Sequence, residues 1–392
     1  MLLPYWKKYE IDERMELCVN IARRSFLGSA ISLSLLAGCR MPKSLFSLDN
    51  SFRFEFGDDD KFVFFAVSDW HRTFKKSDTD REIAFFKRAV AKYSPKLVVF
   101  GGDNVSHRQN KIGLFEDLME PVIDAFKETG VRLAVGFGNH DSEHGLTESG
   151  FYSRKEQYDW FKDELGDLFV DYNVSRLTGV GTGKIEIFKK GAPGSSFKIY
   201  IADSGAYAWR DSLGKYNFWK GYDNPHFDQI AWYLEDSFDA VPHVWIQHII
   251  VPDANCNGIF IKATENEFGA VRKFSMPDGS VETMKLAQNV MGVCKERTCP
   301  PKWSVYRDAR HVYNSMTLYD AWRMSGTMKG AFFGHDHMNT FDGVDNNGIR
   351  LGMIKSMNCG GSYNDGEAGM RVFIVNSDGT YETGTITERT CM

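Results

Sequence analysis

Three short apolar runs, separated by helix-length stretches, constrain the fold of this chain more than any other feature. Residues 61–68 read KFVFFAVS, 96–100 read KLVVF and 132–136 read RLAVG. Runs without polar alternation mark strands buried on both faces, as in parallel sheets. Residues 79–93 place Ile83, Phe86, Ala89 and Val90 on one helical stripe. Residues 112–129 read as a second helix, expected to bend or break near Pro121. The resulting β-α-β-α-β order implies right-handed crossovers and a parallel sheet in an α/β protein.

The rest of the chain continues the alternation. Further strands are expected at 183–189, 197–203, 243–250, 329–333, 349–355 and 371–376, with helices at 225–238 and within 311–325. Asn376-Ser377-Asp378-Gly379 reads as a hairpin turn into TYETGTI. Residues 252–310 carry no clear period and read as an insertion or access loops. With 43% apolar and 14% aromatic residues in 392, the chain can bury a large core and is not disordered. A net charge of -5 and the lack of a basic stripe argue against nucleic-acid binding. The seven cysteines form no CxxC pair, and Cys294 and Cys299 either close a small disulfide or stand as thiols.

The N-terminus reads as an address rather than as part of the fold. In residues 23–39, RRSFLGSAISLSLLAGC, an arginine pair precedes an apolar stretch too short to span a bilayer, and small residues and a cysteine follow. Arg23-Arg24 with Ser25-Phe26-Leu27 resembles a twin-arginine export motif. Leu36-Ala37-Gly38-Cys39 resembles a bacterial lipobox, which implies cleavage before Cys39 and lipidation of its thiol. Met15 is an alternative start. The organisation expected is an export signal over 1–39, a tether over 40–58 ending in a lead-in strand, and a catalytic domain over 59–392. The protein is then exported, periplasmic or at the cell surface, and held to the membrane by a lipid alone.

The chemistry gathers where the strands end. KFVFFAVS is followed by Asp69-Trp70-His71, KLVVF by Gly101-Gly102-Asp103-Asn104, and RLAVG by Phe137-Gly138-Asn139-His140-Asp141. HVWIQ is followed by His248, and KGAFF by Gly334-His335-Asp336-His337. Ligands of open α/β sheets collect beyond the carboxyl ends of the strands. In an extended segment residues i and i+2 point the same way, so Asp69 and His71 can share a site, as can His335 and His337. The donors are imidazole, carboxylate and amide without cysteine, a set suited to Zn, Mn or Fe.

These five blocks, D-x-H, G-D, G-N-H-D, a lone H and G-H-x-H, stand in one order from Asp69 to His337. The set resembles the calcineurin-like metallophosphoesterase superfamily, over about residues 60–390. VFGGDN, GHDHMNTF and Cys359-Gly360-Gly361 look like the branch related to purple acid phosphatases. The colour-giving tyrosine of that branch would fall three residues after Asp103, where Ser106 stands, and no tyrosinate-ferric centre is expected.

The resemblance implies an α/β fold of two packed mixed β-sheets flanked by helices, in four layers, α/β/β/α. It implies two divalent or trivalent metal ions (Mn, Fe or Zn). One ion would take Asp69, His71 and His337, the other Asn139, His248 and His335, and Asp103 would bridge them. His140 would face the leaving group as general acid or phosphate donor. In the protein-phosphatase branch a carboxylate three residues after the bridging aspartate orients this histidine, and Ser106 cannot supply it. Arg108 and His144 are weaker candidates for holding phosphate, beside a reading of both as solvated loop residues. Residues 206–222, AYAWRDSLGKYNFWKGY, either wall a pocket for a sugar or base or form a satellite aromatic cluster. The function implied is hydrolysis of a phosphorylated small molecule or other phosphate ester, monoester or diester. The alternatives are a degenerate metallophosphoesterase-fold surface protein that binds metal or a ligand without catalysis, and an exported sugar- or nucleotide-binding module.

Overall fold

The continuous apolar runs form parallel strands, and the chain builds outward from them. The computed structural model describes residues 53–391 apart from 107–108, 143–149, 209–220, 307–315 and 361–363. The chain enters through β1 (Phe54–Glu55) and β2 (Lys61–Val67), then runs through α1 (Lys76–Tyr93), β3 (Leu97–Gly101), α2 (Leu114–Thr129), β4 (Arg132–Gly136) and α3 (Arg154–Leu165). It continues through β5 (Gly183–Phe188), β6 (Ser195–Ala202), α4 (Phe227–Ser237) and β7 (His243–Gln247), then β8 (Phe260–Lys262), β9 (Val271–Ser275) and β10 (Val281–Leu286). It closes with α5 (Trp303–Tyr306), α6 (Leu318–Ser325), β11 (Met328–Phe333), β12 (Asp342–Val344), β13 (Arg350–Met353), β14 (Gly369–Asn376) and β15 (Tyr381–Thr387).

Two large sheets result. One has the order β15-β14-β2-β3-β4, the other β1-β5-β6-β7-β11-β13-β12. Strands β2, β3 and β4 are parallel, as are β6, β7, β11 and β13, while hairpin partners such as β14 and β15 are antiparallel. Both sheets are therefore mixed, as expected.

Alternation along the strands sorts side chains into two cores. Val244 and Ile246 of β7, with Ile199 and Ile201 of β6 and Phe332 of β11, face the core shared with Phe62, Phe64 and Phe373 of the other sheet. Their neighbours Trp245, Tyr200 and Phe333 face outward onto Ile230 and Tyr233 of α4 and Trp322 of α6. Beyond the five-stranded sheet, Phe85 and Phe86 of α1, Phe126 of α2 and Phe161 of α3 pack on Phe100 and its neighbours. The layers read helix, sheet, sheet, helix.

Three expectations need correction. Helix α2 continues through Pro121 unbroken. Leu118, Met119, Val122 and Ile123 on either side of the proline are all buried, and that packing outweighs the roughly 3 kcal/mol an interior proline costs. The lead-in strand expected at the end of 40–58 is β1, and because it pairs with β5 and Phe54 and Phe56 are buried, the folded unit starts before residue 59. Residues 252–310 are not loose loops. They hold a three-stranded antiparallel sheet, β8-β10-β9, whose Phe260, Phe274 and Met284 complete the outer core with Trp303 and Tyr306. Cys294 and Cys299 are free thiols, donating to the carbonyls of Glu296 (3.1 Å) and Arg297 (3.7 Å).

Candidate metal centre

The exits of β2, β3, β4, β7 and β11 meet at one end of the two sheets. The loop after β2 stays zipped to the loop after β3: Asp69 N donates to Gly102 O (2.9 Å) and His71 N to Asp103 O (3.0 Å). His248 joins the sheets, its Nδ1 lying 2.9 Å from Gly101 O.

The side chains reach the centre by backbone twist rather than by strand alternation. Asp69, His71, Asp103 and His335 have φ of 53°, 44°, 52° and 70°, four of the eight non-glycine residues with positive φ among those described. Each such residue costs on the order of 1–3 kcal/mol and persists where its surroundings over-determine it, typically at functional sites. Here the surroundings are specific. Ser356 Oγ donates to Asp69 O (2.8 Å), and Asn358 Nδ2 to the carbonyls of Trp70 (3.0 Å) and His71 (3.1 Å). Behind the loop, buried Glu82 of α1 accepts from Trp70 Nε1 (2.9 Å), Arg72 Nη1 (2.9 Å) and Cys359 N (3.0 Å). Trp70 is thus a core residue with its indole N–H paired. Glycine is required where loops meet: a Cβ on Gly138 would collide with Asp103 Oδ1, and one on Gly334 with Ser68 Oγ.

Four imidazoles converge within 4 Å of one or both carboxylates. His337 Nε2 lies 3.3 Å from Asp69 Oδ1, and His71 Nε2 lies 3.8 Å from the same atom and 3.6 Å from Asp103 Oδ2. His248 Nε2 lies 3.1 Å from Asp103 Oδ2 and 3.9 Å from Asp69 Oδ1. His140 Nε2 stands 4.0 Å from Asp103 Oδ2. The potential ligand atoms group as Asp69, His71 and His337, as Asp103, His248 and His335, and as His71, Asp103 and His140, each set within 4.8 Å of one another.

The decisive test of fit to a metal is what these donors lack. Asp69 Oδ1, Asp103 Oδ2, Asn139 Oδ1 and His248 Nε2 are buried with no hydrogen-bond partner. The other end of each group is held. Asp69 Oδ2 accepts from His335 N (2.9 Å), Asp103 Oδ1 from His140 N (2.8 Å), and Asn139 Nδ2 donates to the Tyr207 hydroxyl (3.1 Å). His248 Nδ1–H is committed to Gly101 O, so Nε2 is the ring atom left to face a cation. Buried polar atoms are almost always paired, so four orphans in one place match cation ligands.

Charge tells the same story. Burial alone would raise Asp69 and Asp103, but His248 and other nearby imidazoles hold both well below the usual carboxylate range. Burial also opposes a charge on His248, yet Asp103 and Asp69 hold it up at about 9, and Asp69 likewise raises His337. Burial pushes His71 down to about 4 and His335 to about 3. Two carboxylates are thus held ionised among imidazoles in a buried place, a charge arrangement suited to cations.

The chain matches Calcineurin-like phosphoesterase over residues 62–339. It belongs to that family. It is 25% identical over 350 residues to Probable inactive purple acid phosphatase 14 of Arabidopsis thaliana, covering 81% of this chain and 76% of that protein. Probable inactive purple acid phosphatase 28 of the same plant is 23% identical over 313 residues, 74% of this chain and 68% of the relative. Among solved structures it is similar to a dimetal phosphatase from Danio rerio, at 11% identity and a TM-score of 0.45, covering 83% of this chain and 98% of the other.

Of the expected ligands, Asp69, His71, Asp103, His248, His335 and His337 fall into these groups together with His140, and Asn139 precedes His140 on the same loop. Arg108 and His144 lie outside the described residues, as does Cys39. Ser106 donates to the His71 carbonyl (3.2 Å) rather than toward a metal. His243 is structural, placed between the Tyr233 hydroxyl (2.8 Å) and Val241 O (2.9 Å).

Several supports had no role assigned from the sequence. Asp141 accepts four backbone N–H groups, from Asp103 (2.9 Å), Asn104 (2.9 Å), Val105 (3.3 Å) and Gly138 (2.8 Å). Burial and Asp103 push its carboxyl up to about 7, yet every one of these partners is a donor, so the site is built around the carboxylate. Residues 293–299, which had no readable period, brace the last block: Asn339 Oδ1 accepts from Lys295 N (2.9 Å) and Glu296 N (3.2 Å), and Met338 N donates to Glu296 (2.8 Å).

Proposed function

We propose that this protein hydrolyses phosphate esters at a centre of two metal ions. The observation that carries the reading is the set of four buried, unpartnered donor atoms on Asp69, Asp103, Asn139 and His248. Asp69, His71 and His337 would hold one ion, Asn139, His248 and His335 the other, with Asp103 between. Bound there, such ions lower the pKa of a water toward neutrality and neutralise charge on the phosphoryl oxygens.

The chain's own residues supply the rest. The backbone bonds to Asp69 Oδ2 and Asp103 Oδ1 fix which oxygen faces the centre. His140 has its backbone N–H spent on Asp103, while its side chain is 31% exposed at the rim. An imidazole so placed can give a proton to the departing oxygen of an ester, as general acid.

The names of the two plant relatives favour a second reading, a phosphoesterase fold that binds metal or ligand without turnover. The completeness of the ligand set and the presence of His140 support the catalytic one. Export and lipid anchoring through Cys39 belong to the same proposal and rest on the sequence of residues 1–39 alone.

The test compares the protein with its His140→Ala variant at equal metal content, on aryl phosphate monoesters and diesters. We expect kcat to fall about 10²–10⁴-fold, least for esters whose leaving group is already a weak base. A loss independent of the leaving group removes the acid role. Full metal occupancy with no turnover of any ester favours the non-catalytic reading.

A further inference from the structure

The two halves of the centre are braced by different parts of the chain. The half with Asp69 and His71 is held by Ser356 and Asn358, after β13. The half with Asn139 and His335 is met by the root of the segment between β6 and α4. Tyr207 and Tyr222 pair there across an antiparallel bridge, with rings stacked at 5.5 Å and 26°. The Tyr207 hydroxyl takes the amide N–H of Asn139 at 3.1 Å, and the Tyr222 ring lies 4.4 Å from that of His335, edge-on at 80°. Both tyrosines thus contact a ligand of the same half-site.

We infer that Tyr207 is a positioning residue for the second metal ion, setting which end of the Asn139 amide faces the centre; the inference rests on the two-ion reading above. An asparagine can ligate a cation only through oxygen, and its amide can turn end for end. Asn139 is 1% exposed, so a nitrogen without a protein acceptor has no water to turn to. Tyr207, 7% exposed, gives that nitrogen an acceptor other than the carboxylates. Without it, Nδ2 gains by turning toward Asp69 and Asp103, which would put an N–H₂ group where the cation needs an oxygen. The segment's aromatic residues therefore include at least one that acts on the metal centre rather than on a sugar or base.

The test is Tyr207→Phe, which keeps the ring and removes the hydroxyl, followed by Mn titration in a calorimeter. We expect the affinity for one ion to fall about 10–100-fold, as is usual on loss of a partner behind a metal ligand, with the other unchanged. The same substitution in an Asn139→Asp background should cost less than about threefold, because a carboxylate presents oxygen either way round. A purely structural role would lower both affinities and persist in that background; either result overturns the inference. So does an unchanged affinity in Tyr207→Phe. If the unsubstituted protein takes up fewer than two ions, the two-ion reading itself fails, and this inference with it.

Discussion

Asp103→Asn is expected to lower turnover about 10³-fold or more and to reduce bound metal from two ions to one or none. The side chain is fully buried, one oxygen is committed to His140 N, and the other is unpartnered and lies nearest His248 and His71. Exchanging that oxygen for a neutral amide keeps the shape but removes half the anionic charge of the centre. Ions that stabilise phosphoryl charge by several kcal/mol lose their shared ligand, hence the size of the loss. Elemental analysis beside phosphatase assays on the folded variant checks it. A variant that retains two ions would show that Asp103 is not shared.

Asp141→Ala is the substitution expected to cost most stability. Its carboxylate gathers four backbone N–H groups from the two loops that carry Asp103 and Asn139, and all are buried. A buried donor left unpaired costs about 1–3 kcal/mol. Four together put the expected loss at about 4 kcal/mol or more, at the upper end for single substitutions. Thermal melts in chelator separate this from any effect of metal. Asp141→Asn should fall between the two, since its amide keeps one oxygen acceptor but points an N–H₂ group at donors. A melt of Asp141→Ala superimposable on the unsubstituted protein would contradict the account.

How much of this was readable in the sequence depends on how local each cause is. The strands β2, β3, β4, β7 and β11 were legible because full burial imposes continuous apolar runs. The residues at their ends stood out because Asp, Asn and His rarely follow such runs five times over. The short strand β12 was not legible, nor was the small sheet β8-β10-β9, with one buried residue per strand among partly or fully exposed ones. The conformation of the ligands was misread for a related reason. Asp69 and His71 look like alternate positions of a strand, yet both adopt positive φ, held by Ser356 and Asn358, nearly 290 residues away in sequence (287 and 288 for two of these bonds). Asp141 and Tyr207 act through partners that only folding brings near: the backbone of another loop in one case, the amide of Asn139 in the other. The ligands were legible from their chemistry, and their supports were not, because a support is defined by geometry rather than by residue type.

The most direct measurement is metal stoichiometry by titration, in the unsubstituted protein and in His335→Ala and His337→Ala. His337 Nε2 lies 3.3 Å from Asp69, while His335 groups with Asp103 and His248. The account predicts two ions per chain for the parent, one for each variant, and a different residual affinity in each, because a different ion has been lost. A parent that binds no more than one ion, or two variants with the same residual affinity, would contradict it.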